Sequence, residues 1–202
     1  MWEIERFSEN EAERAGAALA KAFSNDPVAT YMLPDAEERR RLLPWHFATL
    51  ARYGALFGET YATSGDFRGV AVWLTPGETD MTPERLAAAG MDQASAMLGA
   101  KPWERFMGVM EFMESLRAID MPGDHWYLAA IGVEPKVAGQ GLGSALLRRG
   151  LDLADAQGKP CYLETAAADN RPFYEKHDFL VVRQGVEPAS GISYWTFRRE
   201  PR

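Results

Sequence analysis

The chain of 202 residues has one cysteine, Cys161, and three histidines. A single cysteine excludes an intramolecular disulfide and any cysteine-based zinc cluster. It reads as a small buried apolar residue in a strand. His46, His125 and His177 are scattered without a ligand spacing, so no metal is expected. Basic residues are the minority, 22 Lys plus Arg against 29 Asp plus Glu, giving a formal net charge of −7. That argues against a nucleic-acid partner, which would call for a basic face. No apolar run approaches the ~18–20 residues that a membrane-spanning helix needs. The opening MWEIERFSENEAERAG has no basic stretch leading into an apolar core, so it does not read as a signal peptide. Repeats and low-complexity tracts are also missing. These absences leave a cytoplasmic protein without membrane or nucleic-acid partners as the expectation.

What is present suits one domain spanning residues 1–202, with 47% hydrophobic residues to build a core. Trp2, Ile4 and Phe7 mark a first strand against Glu3 and Glu5. Ser8 followed by Glu11 forms a capping box for a helix ending near Phe23. Asn25-Asp26-Pro27 interrupts the chain, and a second, longer helix is expected from about Ala36 to Leu56, with Pro44 kinking or dividing it. Residues 61–74 read as a β-hairpin turning at Ser64-Gly65-Asp66. From Thr82, a good helix start before Pro83, the chain is helical to Asp120, punctuated by Gly90, Gly99 and Pro102. Its last piece carries Trp103, Phe106, Met107, Met110 and Met113 at helical spacing, widened by Val109, Phe112 and Leu116. A stripe that broad reads as core buried on two sides, or as flexible side chains lining a pocket.

The most informative stretch is HWYLAAIGVEPKVAGQGLG, from His125 to Gly143, followed by SALLRRGLDLADAQG. It reads as a strand, a turn at Glu134-Pro135, a glycine-rich loop and a helix from about Gln140 to Gln157, with Arg148, Asp152 and Asp155 facing solvent. A second strand, Cys161–Thr165, completes a β–α–β crossover and predicts a parallel pair. A short helix over Phe173–His177 and two closing strands, near 179–185 and 192–198, follow. A helix start offers backbone N–H groups without intrahelical partners at the positive end of the helix dipole, so the loop is a seat for phosphate. A nucleoside-triphosphate loop is excluded because no Gly-Lys pair follows the glycines. A dinucleotide fingerprint fits poorly: read from Gly139 its last position is Ser144, and read from Gly141 it is Leu146. Glu164 does lie where a ribose-binding acid would.

The loop Ala138-Gly139-Gln140-Gly141-Leu142-Gly143, with Pro135 upstream, is followed by Leu163-Glu164-Thr165 and by Asn170-Arg171-Pro172-Phe173-Tyr174-Glu175-Lys176-His177-Asp178-Phe179. In order and spacing these two motifs resemble the GNAT superfamily of acyl-CoA-dependent N-acetyltransferases. The wording is most similar to the branch that includes puromycin N-acetyltransferase. The resemblance covers about residues 125–180. It implies an α/β (α+β) fold with a mixed, mostly antiparallel central sheet, a splayed parallel strand pair and flanking helices. It departs at Ala138, where the family has Gln or Arg, and at Asp178, where the family usually has the Gly of a Gly-Phe pair.

The resemblance implies acetyl transfer from acetyl-CoA, used as cosubstrate, to a primary amine of a small molecule by direct attack. Ile131, Gly132 and Val133 would meet the pantetheine arm and thioester, and the backbone from Ala138 through Gly139, Gln140, Gly141, Leu142 and Gly143 to Ser144 would hold the pyrophosphate. Tyr174 matches the family's general acid, and otherwise reads as an aromatic packed over its helix. Asn170 either contacts the cofactor or caps the following helix. Glu164 is the first candidate base, with Glu111, Glu114 and His46 behind it, and otherwise an ion-pair partner. The acceptor site falls to residues 24–57 and 81–122, where the apolar side chains suit an aromatic acceptor or a homodimer interface equally well. Monomer and homodimer both remain open. The rival expectations are a non-enzymatic acyl-CoA-binding or regulatory protein, and a dinucleotide-binding protein.

Overall fold

The computed structural model describes residues 2–202. The first strand, β1 (Ile4–Arg6), leads into a 3-10 turn closed by the Ser8–Glu11 capping box and then α1 (Ala12–Ala22). Next come α2 (Pro27–Met32) and α3 (Ala36–Phe57), each begun by an aspartate, Asp26 and Asp35, whose carboxylate accepts two free amides of the first turn. Pro44 lies inside α3 without dividing it. The hairpin β2 (Gly58–Thr63) and β3 (Gly69–Leu74) comes next, then α4 (Pro83–Ala88) under a Thr82 cap, α5 (Ala94–Leu98) and α6 (Ala100–Asp120).

β4 (Trp126–Val133), α7 (Leu142–Ala156) and β5 (Cys161–Thr165) form the crossover, with α7 starting two residues later than its sequence suggests. Then come α8 (Arg171–Glu175), also displaced from the expected 173–177, β6 (Leu180–Val186) and β7 (Ser193–Arg199). The seven strands form one sheet in the order β1-β2-β3-β4-β5-β7-β6. Every neighbouring pair is antiparallel except β4–β5. One parallel pair cannot make the doubly wound parallel sheet of a dinucleotide-binding domain.

Two features of β4 break the regularity of the sheet. Val72 of β3 pairs with Ala130 but Trp73 pairs with Leu128, so Ala129 is an extra residue, a β-bulge. The parallel pairing with β5 is confined to Trp126–Cys161 and Tyr127–Tyr162. Past the bulge β4 runs on to Val133 with no partner on that side, and the sheet opens into a cleft. The bulge also exchanges the faces of the strand. Before it, Trp126 and Leu128 pack under α7 with Leu142, Leu146 and Leu147. Beyond it, Ile131 and Val133 take that face, while Ala130 joins the α1/α3 layer on the other.

The α6 stripe departs from the core expectation. Val109, Met113 and Leu116 are buried against Ile192 and Tyr194, whereas Trp103, Phe106, Met107, Met110 and Phe112 stay half-buried. Asp155 is likewise not a solvent-facing residue. It makes a two-pronged ion pair with the buried Arg199 of β7, at 2.7 and 2.8 Å. Cys161 is fully buried, and burial pushes its thiol up to about 12, which leaves it unreactive at neutral pH.

Candidate active site

The groove of interest, about 490 Å³, opens where β4 leaves β5, between the start of α7 and α8. It is lined by Ile131 and Val133 of β4, by Val137, Ala138, Gly139 and Gly141–Ser144, and by Asp169, Asn170, Phe173, Tyr174 and Lys176. Two sequence motifs more than 25 residues apart therefore face one another across a single cleft. Gln140 and Gly132 are not on its lining. The Gln140 carbonyl accepts a hydrogen bond from the Trp2 indole at 3.0 Å. Gly132 faces α1, where a Cβ would come within 2.8 Å of the Ala22 methyl.

The loop's chemistry is that of its backbone. α7 begins at Gly141 with no side-chain cap, in contrast to the Asp and Thr caps of α2, α3 and α4. Its first helical bond runs from Ala145 N–H to the Gly141 carbonyl, 3.1 Å. The amides of Leu142, Gly143 and Ser144 thus have no acceptor within the helix, and they open on the groove. Gly139 and Gly141 hold φ of +78° and +81°, a region that disfavours side chains, and a Cβ at either would project into open space. A diphosphate needs such a cradle: free N–H donors, the positive end of a helix, and no side chain in the approach. The residues present fit the diphosphate of CoA. Ala138 lacks the family's side chain at a position whose backbone still lines the groove.

Tyr174 closes one end of the groove. Its ring is buried against Phe173, Phe179 and Phe197. Burial, reinforced by the nearby Asp26 carboxylate, raises its pKa, so the phenol stays protonated throughout the neutral range. Asn170 does not cap α8. Its amide donates to the Thr165 hydroxyl at 3.3 Å, tying the loop to the end of β5.

Glu164 is half-buried on β5 beside the point where β4 departs. Burial pushes its carboxyl up to about 7, against the opposing pull of a hydrogen bond from Tyr127 and of the Arg117 guanidinium. Arg117, buried on α6, stacks over the Tyr127 ring at 4.6 Å and pairs with the exposed Glu114. Glu164, Tyr127, Arg117 and Glu114 thus form a chain of contacts from the split in the sheet to the exposed face of α6. The sequence pattern missed Tyr127 and Arg117. Strand alternation held the signal for Tyr127, since it points away from its apolar neighbours Trp126 and Leu128.

The remaining candidates lie elsewhere. Glu111 is exposed on α6. His46 is buried on α3, its ring edge-on to Phe106 at 4.7 Å, and burial lowers it to about 4, so it is neutral. His125 is buried with Nδ1 2.7 Å from the Gly123 carbonyl, a structural position. Asp178 sits at φ +66°, which explains the family's glycine there. Its carboxylate pairs with Arg202 and is not on the groove. Among the described residues no cluster of three or more His, Cys, Asp or Glu is gathered to hold a metal. Among the described residues no helix is long and apolar enough to cross a membrane.

Comparison with known proteins agrees with this geometry. The family model described as the acetyltransferase (GNAT) family matches residues 55–179. An uncharacterised N-acetyltransferase of Schizosaccharomyces pombe is 28% identical over 183 residues, covering 87% of this chain and 73% of that protein. Among solved structures, a protein of Corynebacterium glutamicum described as histone acetyltransferase HPA2 and related acetyltransferase superposes with a TM-score of 0.73 at 19% identity, covering 100% of this chain and 98% of the other. A polyamine N-acetyltransferase of Drosophila melanogaster, which forms N-acetylagmatine, gives 0.68 at 14% identity, with 98% of each chain covered.

Proposed function

The chain belongs to the acetyltransferase (GNAT) family, and on that premise we propose that it transfers an acetyl group from acetyl-CoA to a primary amine of a small molecule by direct attack. The observation that carries this is the opening of the uncapped α7 N-terminus and Tyr174 onto one groove, with Glu164 beside the split that forms it. Acetyl-CoA supplies an activated acyl group as its thioester. The chain's own groups do the rest. The amides of Leu142, Gly143 and Ser144, with the glycine loop from Ala138, hold the diphosphate. Ile131 and Val133 lie along the unpaired edge of β4, where the pantetheine arm would run.

An amine attacks only when neutral, so a base must take its proton. A carboxyl near 7 is matched to that task at neutral pH. The hydrogen bond from Tyr127 and the charge of Arg117 favour the ionised form of Glu164 that this task needs. Tyr174, held protonated, offers its hydroxyl as hydrogen-bond donor to the departing sulfur. The half-buried Trp103, Phe106, Met107 and Met110 of α6 suit an acceptor with an apolar or aromatic body.

Purified protein given acetyl-CoA and a panel of polyamines, arylalkylamines, aminonucleosides such as puromycin, and peptides is expected to release CoA thiol with at least one small amine. Tyr174→Phe is expected to lower kcat by about 10²-fold or more while leaving acetyl-CoA affinity within about threefold. Binding of acetyl-CoA without turnover across the panel would favour a non-enzymatic acyl-CoA-binding protein.

A further inference from the structure

Ser144 of the groove lining is paired with a side chain behind it that acetyl transfer itself does not use. Ser144, the third residue of α7, carries its hydroxyl 2.9 Å from Nε2 of His177, which lies just past the end of α8. His177 is buried at 7% exposure, with its ring edge-on to Phe173 at 5.2 Å. Phe173 in turn lies against Gly143, where a Cβ would touch it at 3.3 Å. His177 therefore belongs to a packed wedge that sets the distance between the two walls of the groove.

The hydrogen-bond direction matters more than the packing. A serine hydroxyl has one proton. If Nε2 is bare, Ser144 spends that proton on His177 and presents only lone pairs to the groove, which repel an anion. If Nε2 carries the hydrogen, Ser144 accepts from His177 and its own O–H is free to donate into the groove. The same residue's amide is one of the three uncapped donors. We propose that His177 is a positioning residue that, through its Nε2–H, turns the Ser144 hydroxyl into an added donor for the diphosphate of a CoA thioester. The inference rests on the reading of the groove as a CoA site. It predicts coupling in both directions, because an anion in the cradle selects the Nε2–H tautomer. Burial and the neighbouring Lys176 and Arg148 lower the His177 pKa, with Asp178 opposing them, which favours the neutral ring and makes its tautomer the variable.

The test is calorimetric, on the intact chain, with CoA and with pantetheine, which lacks the diphosphate. Wild type is expected to bind CoA. His177→Leu leaves the Ser144 O–H in place but no longer aimed, and is expected to lower CoA affinity about threefold and to leave pantetheine affinity unchanged. His177→Gln, whose amide can donate from a similar place, should recover most of the loss. Ser144→Ala removes the donor itself and is expected to cost roughly tenfold, and adding His177→Leu to it should cost nothing more. Nitrogen-15 NMR of the imidazole should show the Nε2–H form gaining population when CoA is added. Unchanged CoA affinity in His177→Leu, or an equal loss for CoA and pantetheine, would overturn the proposal while the CoA reading stands. Should His177→Leu fail to fold, full CoA affinity in Ser144→Ala would overturn it alone. Failure of wild type to bind CoA would remove both.

Discussion

Glu164 carries the heaviest chemical demand of any single residue, because a carboxyl near 7 is ionised in about half the molecules at neutral pH. As the proposed base it must be deprotonated to work, so kcat should rise with pH and level off above about 7. Glu164→Gln removes that limb and is expected to lower kcat by about 10²–10⁴-fold. A pH–rate profile that keeps its limb in the variant would assign the base elsewhere. Asp178 makes a different demand, on the backbone. At φ +66° it stands where a β-branched residue would be strained, whereas Asp tolerates the conformation. Asp178→Val should cost about 1–3 kcal/mol in denaturant unfolding. Asp178→Gly should stay within about 0.5 kcal/mol of wild type, the relief of φ being offset by added freedom in the unfolded chain and by loss of an exposed ion pair. Because Asp178 is off the groove, neither change should move CoA affinity.

Among the elements, α7 is held at both ends by different physics. Its start is left open toward the groove, and its last turns are fixed to the sheet by Asp155 and Arg199. Arg199 has a side chain only 3% exposed. Asp155→Ala should therefore destabilise by about 3 kcal/mol, mostly the cost of a buried guanidinium left without its partner. Replacing both, Asp155→Leu with Arg199→Met, should recover a large part of that in a thermal or urea midpoint. Additive losses would show that the pair does not act as a unit. This pair also marks where sequence reading stops. The helix periodicity of Leu142, Leu146, Leu147 and Leu151 was legible, as were the capping box at Ser8, the hairpin turn at Gly65 and the parallel crossover. Each is written in residues close together in the chain. Asp155 read as solvent-facing because its partner lies 44 residues away. The bulge at Ala129 left no local mark, since Ala suits either face. The α6 stripe is apolar enough for a core, yet its neighbours cover only part of it. In the site, the loop and Tyr174 were legible from two local motifs. The Glu164–Tyr127–Arg117 path was not, because it joins three elements.

Across the whole molecule, the sheet is two blocks, β1–β4 and β5–β7–β6, joined by two residue pairs of parallel ladder. The split between them opens the groove against α7 and α8 that is proposed for the cosubstrate. Two titratable groups are held in poorly solvated positions, His46 on α3 and Glu164 beside the split, and the pH dependence of stability should record that. His46 is buried neutral with its pKa lowered to about 4. The unfolded chain takes up that proton near 6.5 and the folded one does not, so stability is lost as pH falls from 6.5 toward 4. Glu164 runs the opposite way. Its folded pKa of about 7 lies above the unfolded 4.5, so the fold binds the extra proton and stability falls as pH rises from 4.5 toward 7. Each effect is on the order of 3 kcal/mol, and they oppose one another across nearly the same window. Between about pH 4.5 and 6.5 their contributions to wild type should largely cancel. Glu164→Gln should unmask the histidine, so that unfolding free energy rises with pH relative to wild type. His46→Leu should unmask the glutamate, and the same difference curve should fall. Urea unfolding of the three proteins at half-unit steps from about pH 4.5 to 7 reads both slopes. Two variants with difference curves of the same sign would mean that at least one of these groups is better solvated than its burial implies. If that group were Glu164, its case as a base tuned to neutral pH would fail with it.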